Sequence, residues 1–208
     1  KENSRVPVIQ NDRGLCHLYV DSRADLEMAV SILENGKIQR PSVCNSLETV
    51  LVHRGIAPTF LAMAFARLQP KSVQWHVCSQ SLQILPKDST VTAANAKSYA
   101  TEYGSLSLNC KIVDDVQMAI EHIQEFGSKH SECIVSQDHV LTNYFQTEVD
   151  AAVVYANAST RFTDGFEFGL GGEIGISTQK LHVRGPVGLK ALTTVRWIVN
   201  GHGQIREG

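Results

Sequence analysis

Apolar runs of strand length alternate along this chain with segments whose apolar residues recur at helical spacing. Residues 15–20 form such a run, and in residues 24–33 the apolar side chains at 26, 29, 30 and 33 share one face of a helix. The alternation continues with strands predicted at residues 49–53, 73–77, 105–113, 133–135 and 151–155, and helices at 57–68, 116–126 and 139–145. This order predicts an α/β fold in which a mainly parallel sheet is flanked by helices.

The last part of the chain has a different pattern. Seven glycines crowd residues 165–188, which have little apolar periodicity, and this predicts a long loop used in function or in contact between domains. Residues 193–199 are predicted to form a strand that would pair with another sheet, in the same protein or in a neighbouring subunit. We therefore divide the chain into an α/β domain, residues 1–161, and an interdomain or oligomerisation segment, residues 162–208.

Composition narrows the classes of function. The 208 residues are 43% hydrophobic, which is enough for a buried core, and a net charge of −2 favours neither nucleic acid nor an anionic membrane as partner. The apolar runs fall far short of the ~20 residues that cross a bilayer. Five widely spaced cysteines without a C-x-x-C pair indicate neither a disulfide framework nor a zinc site, and no histidine or carboxylate set has metal-binding spacing. We expect a small-molecule partner, no metal and a reducing cytoplasm.

Cys44 is the candidate nucleophile. It follows a proline turn at Pro41 and has small or polar neighbours, whereas the other cysteines lie in or directly after predicted strands and are interpreted as structural. In such a turn the sulfur can be exposed while backbone N–H groups lower the pKa of the thiol and stabilise an oxyanion. The alternative is that Cys44 too is a buried structural thiol.

Spacing in the sequence does not single out the residues that would act with Cys44 in catalysis or substrate binding. For His122 and His130 a structural role is favoured, and His182 has a better functional case because it lies in the glycine-rich segment. Polar residues 157–165 directly follow a predicted strand, and ligands of open α/β sheets bind at the carboxyl ends of strands. An ordinary loop would look similar. Within residues 157–165, Arg161 could bind a carboxylate or phosphate with two parallel hydrogen bonds.

Three longer stretches carry a family resemblance: residues 39–45, 113–136 and 149–189. Together they resemble the gamma-glutamyl phosphate reductase family of the aldehyde dehydrogenase superfamily, and the resemblance covers nearly the whole chain. Members of that family are longer and begin with a Rossmann-like nucleotide domain. The resemblance therefore implies that this chain is the C-terminal, catalytic half, with an aldehyde-dehydrogenase-like fold and a tail that returns to the nucleotide domain and contributes to oligomerisation.

The resemblance also implies a reaction. Cys44 would attack the γ-carbonyl of L-glutamyl 5-phosphate, release phosphate and form a thioester, which hydride from NADPH reduces to L-glutamate 5-semialdehyde, the second step of proline biosynthesis. The backbone N–H of Cys44 and the side chain of Asn45 are the candidates for holding the oxyanion. Glu102 resembles the superfamily glutamate that binds the nicotinamide ribose. The implied substrate-binding residues are Asn157, Ser159, Thr160, Arg161 and Glu173.

One departure from the superfamily bears on the reaction. Hydrolytic aldehyde dehydrogenases carry a water-activating glutamate in an E-L-G-G-K type motif, and the matching residues 8–14 contain no glutamate. Asp12 lies outside the matched position. An acyl-phosphate reductase needs no such base, because water would destroy its thioester, so the departure agrees with a reductase.

The resemblance implies further properties of the whole protein. NADPH would be bound mainly by the N-terminal half, so this chain alone is expected to be inactive. The full protein is expected to be a homo-oligomer in the cytoplasm, with functional coupling to glutamate 5-kinase. Two other hypotheses remain: a cysteine hydrolase whose Cys–His pair lies within this chain, and a non-catalytic interaction module that assembles through its terminal strand.

Overall fold

Seven parallel strands form the central sheet of this computed structural model, which describes residues 3–9 and 13–208. The strands are β1 (Cys16–Val20), β2 (Leu47–His53), β3 (Gln74–Val77), β4 (Val91–Ala93), β5 (Ser107–Val113), β6 (Ser131–Val135) and β7 (Val153–Ala156). They lie side by side in the order β4-β3-β5-β2-β1-β6-β7. A short antiparallel pair, β8 (Ile176–Ser177) and β9 (Gly185–Pro186), lies in the glycine-rich segment. The predicted mainly parallel sheet is confirmed.

Helices connect the strands and cover the sheet. They are α1 (Leu26–Ile38), α2 (Ala57–Leu68), α3 (Ser79–Ile84), α4 (Ala96–Tyr99), α5 (Val116–Phe126) and α6 (His139–Glu148). Asp115 caps the start of α5 by accepting a hydrogen bond from the backbone N–H of Met118, while the preceding residue, Asp114, pairs with Arg54. None of the helices in the described ranges is long and apolar enough to cross a membrane.

The central strands are buried on both faces. Alternate side chains of β1 enter two different apolar clusters, with Leu18 in the larger one beside Phe60 and Tyr19 in the smaller one beside Phe145. Burial on both sides explains why apolar residues occupy successive positions at 18–20 in β1 and at 50–52 in β2. By contrast, β7 lies at the edge of the sheet and its residues are only half-buried.

The predicted terminal strand is wrong for the described structure. Residues 193–199 form no strand, and the side chains of Val195, Trp197 and Val199 are exposed. A strand is held by hydrogen bonds to a neighbour, and the described part of the chain provides no neighbour for this segment. Its pairing with a missing domain or another subunit stays a prediction, as does the division of the chain at residue 161.

A buried ion pair joins α1 to the start of β2. The ammonium group of Lys37, which is completely buried, lies 3.3 Å from Oε2 of Glu48 and donates a 2.8 Å hydrogen bond to the backbone oxygen of Leu47. The other carboxylate oxygen of Glu48 accepts from the backbone N–H of Gly104 at 3.3 Å. Burial raises the pKa of Glu48 to about 7, although Lys37 opposes the shift. The pair therefore ties helix, strand and the turn before β5 together.

Replacing Lys37 with methionine is expected to lower the free energy of unfolding by about 3–5 kcal/mol at alkaline pH, because it leaves the Glu48 carboxylate buried without its cation. Loss of Lys37 raises the pKa of Glu48 further above its ordinary 4.5, so the folded variant binds a proton more tightly than the unfolded chain. Its deficit should therefore shrink as the pH falls from about 8 to about 5. Urea unfolding at both pH values measures this.

The matched control is Lys97→Met, since Lys97 is exposed in the short helix α4. That variant should unfold like the original protein at both pH values. If Lys37→Met and Lys97→Met unfold alike, the buried pair contributes nothing to stability and our reading of it is wrong.

Candidate active site

Three loops meet at the amino edge of the sheet. Cys44 lies in the turn before β2, Gly14 lies two residues before the start of β1, and Glu102 lies in the loop before β5. Because β5, β2 and β1 are neighbours and parallel, the residues that precede them come together at the same edge. The candidate nucleophile is therefore surrounded by residues that are far apart in the sequence.

Gly14 joins two of these loops. A Cβ atom placed on Gly14 would lie 1.6 Å from the backbone oxygen of Cys44, so only a glycine lets the two backbones approach this closely. The backbone N–H of Gly14 also donates a 3.0 Å hydrogen bond to Oε1 of Glu102. Gly14 thus fixes the turn that carries Cys44 relative to the Glu102 carboxylate.

The segment after β7 crosses the sheet back to the amino edge. Thr160 Oγ1 donates a 2.8 Å hydrogen bond to the backbone oxygen of Asn45. In return, Asn45 Nδ2 donates to the backbone oxygens of Thr163, at 2.9 Å, and Arg161, at 3.4 Å. Thr163 Oγ1 lies 2.7 Å from Oγ of Ser131, at the start of β6. The residue next to the thiol therefore holds the segment that contains Thr160 and Arg161.

This return corrects one argument from the sequence. Residues 157–165 were expected to meet a ligand at the carboxyl ends of the strands, but only Asn157 lies there, where its side chain bonds the backbone N–H and C=O of Ser136 at 3.0 and 2.9 Å. Asn157 is not brought to Cys44. Ser159 is buried, and its Oγ accepts from the backbone N–H of Arg161 at 3.3 Å. Residues 160–163 lie at the amino edge and not at the expected carboxyl edge because the chain reverses its direction after β7.

The thiol of Cys44 is half-buried among charged groups of both signs. Its pKa is raised above the ordinary value, first by burial, then by the carboxylates of Glu173 and Glu102, while its own backbone N–H and Arg161 act in the opposite direction. The expected lowering of this pKa is therefore wrong for the described chain, because two acidic residues and desolvation outweigh the donors. The same finding shows that Glu102, Arg161 and Glu173 lie close enough to act on the sulfur.

Arg161 connects the thiol to a polar cleft. Its Nε donates a 3.1 Å hydrogen bond to Oε1 of Gln39, at the end of α1, and burial lowers the pKa of its guanidinium. The neighbouring cavity has a volume of about 210 Å³. Its lining includes Asn35, Gln39, Arg161, Phe162, Asp164 and Glu167. On the other side, Glu173 is exposed and its Oε2 accepts from the backbone N–H of Gly165 at 2.9 Å.

The histidines do not form a pair with the nucleophile. All eight lie in the described ranges, and none makes a hydrogen bond to the thiol of Cys44 there. Burial lowers the pKa of His130 to about 4 and that of His122 to about 2, so both are neutral at physiological pH. His182 is exposed, with its Nε2 2.7 Å from the backbone oxygen of Ala191. The described residues therefore do not provide the Cys–His pair that a cysteine hydrolase within this chain requires.

The remaining cysteines and the possible metal ligands form neither a disulfide nor a metal site in the residues that the structure describes. Cys16, Cys110 and Cys133 are buried free thiols, as expected for structural residues, and Cys78 is half-buried. No three His, Cys, Asp or Glu side chains come together to hold a metal ion anywhere in residues 3–9 and 13–208. Residues 8–14 take the place of the water-activating glutamate motif, and of these, 10–12 lie outside the described residues, so the structure does not describe Asp12.

Sequence reasoning missed several residues of the site. Gly14, Gln39 and Thr163 were not singled out, although each contacts Cys44, Arg161 or Asn45. A glycine just before a strand is a weak signal for close approach of another backbone. No sequence pattern marks Gln39 or Thr163, because their roles depend on contacts between distant segments.

The whole chain is similar in sequence to proteins of known function. No family model matches the chain. Among curated proteins, the gamma-glutamyl phosphate reductase of Caldicellulosiruptor bescii is 53% identical over 207 residues, which are 99% of this chain and 49% of that protein. The same enzyme of Petrotoga mobilis is 50% identical over 205 residues, 99% of this chain and 48% of that protein. The chain thus spans about half the length of the curated relatives that it matches.

Solved structures agree with these relatives. Gamma-glutamyl phosphate reductase from Thermotoga maritima is similar with a TM-score of 0.91 and 45% identity, over 99% of this chain and 49% of that one. An acetylating aldehyde dehydrogenase from Geobacillus thermoglucosidasius has a TM-score of 0.71 at 15% identity, over 100% of this chain and 55% of that one, and so shows the fold alone. The predicted aldehyde-dehydrogenase-like fold is confirmed. The chain belongs to the gamma-glutamyl phosphate reductase family and corresponds to about half of a full-length member.

Proposed function

We propose that this chain is the thiol-bearing half of an NADPH-dependent reductase that converts L-glutamyl 5-phosphate to L-glutamate 5-semialdehyde and phosphate. The observation that carries the proposal is the position of Cys44, a half-buried thiol at the amino edge of the sheet with Arg161, Glu102 and Glu173 around it. The family relationship supports the choice of substrate. The same relationship supports a place in the second step of proline biosynthesis.

The chemistry begins at the sulfur of Cys44. The thiolate attacks the γ-carbonyl carbon, a C–S bond forms, the bond from that carbon to the phosphate oxygen breaks, and phosphate leaves with the electron pair. Arg161 is the cation beside the thiol and is suited to bind the leaving phosphate through its planar guanidinium. The product of this step is a thioester on Cys44. Thr160 and Ser159 position Arg161 through the hydrogen bonds described above.

The oxyanion formed during attack needs hydrogen-bond donors. The amide hydrogens of Asn45 are directed to the backbone oxygens of Thr163 and Arg161, so its side chain positions residues 160–163, which follow β7. The backbone N–H of Cys44 is the remaining candidate donor from the nucleophile turn. Asn157, held at the opposite edge by Ser136, acts by fixing the path of the segment that leads to Ser159.

The residues present fit one part of a nicotinamide cofactor. Glu102 is an exposed carboxylate near the thiol, and a carboxylate accepts hydrogen bonds from ribose hydroxyls. Gly14 holds one of its oxygens and so fixes its orientation. A bound NADPH would supply hydride to the thioester carbon. The nucleotide itself would be held mainly by the half of the protein that this chain lacks, so we propose that the chain is inactive alone.

A reductase and a hydrolytic dehydrogenase differ in what happens to the thioester: hydride reduces it in the first, and water hydrolyses it in the second. The matched segment has no water-activating glutamate. Each of the two exposed carboxylates near Cys44 accepts a backbone hydrogen bond, Glu173 from Gly165 and Glu102 from Gly14. We propose that the thioester is protected from water and reduced. We further propose a cytoplasmic homo-oligomer, coupled in function to the glutamate 5-kinase that would supply its substrate.

The reverse reaction tests this function. With L-glutamate 5-semialdehyde and NADP⁺, the full-length protein is expected to form NADPH only when inorganic phosphate is present, because phosphate must cleave the thioester. Formation of NADPH is followed by its absorbance. Sulfate at equal ionic strength is the control, since it cannot form the acyl phosphate. Equal rates without phosphate, with glutamate as product, would identify a hydrolytic dehydrogenase and refute the proposal.

A further inference from the structure

A second polar cavity lies at the amino edge of the sheet, away from the cleft beside Arg161. Its volume is about 430 Å³, and it is bounded by the loop before β6 and by the connection between β8 and β9. Its lining includes Arg13, Ser128, Lys129, Thr178, Lys180 and Arg184. Four of these six side chains are cationic and two carry hydroxyl groups.

One carboxylate neutralises part of this charge. Asp150 pairs with Lys129 at 3.1 Å, with Lys180 at 3.0 Å and with Arg184 at 2.8 Å. Three cations around one carboxylate leave two positive charges in excess. Like charges held this close repel one another, so the cluster is more stable when a further anion is present.

Arg184 has donors that the described residues do not use. Its Nη1 bonds Asp150, whereas Nε and Nη2 are buried and have no acceptor within residues 3–9 and 13–208. Nε and Nη2 form one edge of the guanidinium, and such an edge binds two oxygens of a phosphate or carboxylate side by side. Buried donors without acceptors are unfavourable, and Arg184 lines the cavity, so a rotation of its guanidinium toward the cavity to bind an oxyanion would satisfy them.

The cavity adjoins the nucleophile without sharing its residues. Ser128 Oγ accepts a 2.9 Å hydrogen bond from the backbone N–H of Leu15, and Arg13 precedes Gly14, the residue packed against Cys44. None of Cys44, Glu102, Arg161 and Glu173 lines it. An anion held there would lie near the active site but outside the cleft at Arg161.

We propose that this cavity is a phosphate-binding site, formed by Arg184, Lys180 and Lys129 with the hydroxyls of Ser128 and Thr178. A phosphate presents oxygens in several directions and carries about 1.5 to 2 negative charges at neutral pH, which matches cations that converge from two loops. A monovalent carboxylate would neutralise only one of the two excess positive charges. The site binds either free phosphate or the phosphoryl group of a small metabolite.

Titration calorimetry of the full-length protein with inorganic phosphate, at constant ionic strength set by sodium chloride, tests the proposal. Arg184→Gln is expected to weaken phosphate binding at least about tenfold, because a charged, two-point contact is lost. Lys180→Gln, at an exposed position that cannot disturb the core, should weaken it by about threefold. Arg67→Gln removes an exposed arginine that pairs with Glu27 and Glu34 and should leave binding unchanged.

Phosphate could also bind at Cys44, so Arg161→Gln separates the two sites. Binding that survives Arg161→Gln and is lost in Arg184→Gln and weakened in Lys180→Gln supports the second site. Binding that is lost in Arg161→Gln and unchanged in the other two variants overturns it, as does phosphate binding no stronger than chloride. If Arg184→Gln fails to fold, the phosphate affinity of Lys180→Gln tests the proposal: weaker binding supports the second site, and unchanged binding overturns it. A parallel titration with O-phospho-L-serine shows whether a free phosphate or a phosphoryl group binds more tightly.

Discussion

Replacing Cys44 with alanine is expected to lower turnover of the full-length enzyme by at least about 1,000-fold, because the covalent route through the thioester is lost when the nucleophile is removed. The fold should remain, since the side chain is small and only half-buried. The phosphate-dependent formation of NADPH measures turnover, and the thermal midpoint measures the fold. Mass spectrometry should detect an acyl adduct on the original protein and none on the variant.

Cys78→Ala is the matched control. Cys78 is also a half-buried free cysteine, but it follows β3 at the carboxyl edge of the sheet, opposite Cys44. Its Sγ lies 3.2 Å from Oγ of Ser81, and burial, which raises the pKa of this thiol, is outweighed by hydrogen bonds that lower it. The change therefore removes a half-buried cysteine without touching the residues around Cys44. This variant should keep its turnover. Retained activity in Cys44→Ala, or equal losses in both variants, would mean that Cys44 is not the nucleophile.

The helices and strands were predictable where local chemistry agrees with tertiary packing. The helix at residues 57–68 was predicted with the bounds of α2, and that at 116–126 with the bounds of α5, where Asp115 and Gly127 mark its ends. The short elements β4, α3 and α4 were missed because three to six residues show too little periodicity. Residues 193–199 have strand composition, yet pairing depends on a partner that composition cannot supply.

The site was predictable only in part. The turn that carries Cys44 could be recognised from its proline and small residues, and Arg161 from the polar loop after a predicted strand. The family resemblance added Glu102 and Glu173, and all three charged residues affect the pKa of the sulfur. The sign of the pKa shift could not be predicted, because it depends on how deeply the thiol is buried and on two carboxylates from distant segments. Asn157 was grouped with Arg161 because nothing in the sequence shows that the chain reverses between them.

These charges give the thiol a defined state in the described chain. Its raised pKa keeps Cys44 largely protonated at neutral pH, and a thiol reacts and oxidises more slowly than a thiolate. Arg161 acts against Glu173 and Glu102, so any change that moves the turn relative to these groups alters the reactivity of the sulfur. The residue that fixes this geometry is Gly14.

Gly14→Ala is expected to lower kcat by about 100-fold, because the new Cβ, 1.6 Å from the backbone oxygen of Cys44, must displace the nucleophile turn. The displacement also breaks the alignment of Glu102, so the KM for NADPH should rise. The pH dependence of Cys44 alkylation by iodoacetamide should shift as well, since the distances from the sulfur to Glu102, Glu173 and Arg161 change. A general loss of stability would lower the thermal midpoint without moving that pH profile.

Gly55→Ala controls for the substitution itself. Gly55 lies after β2 at the opposite edge of the sheet, and a Cβ there would lie 3.2 Å from Nδ1 of His53, an exposed contact that can adjust. This variant should keep kcat, the KM for NADPH and the alkylation profile. If Gly14→Ala behaves like Gly55→Ala in all three measurements, the close approach of Gly14 to Cys44 does not position the nucleophile. If only Gly14→Ala changes them, a residue without a side chain sets the geometry of the thiol.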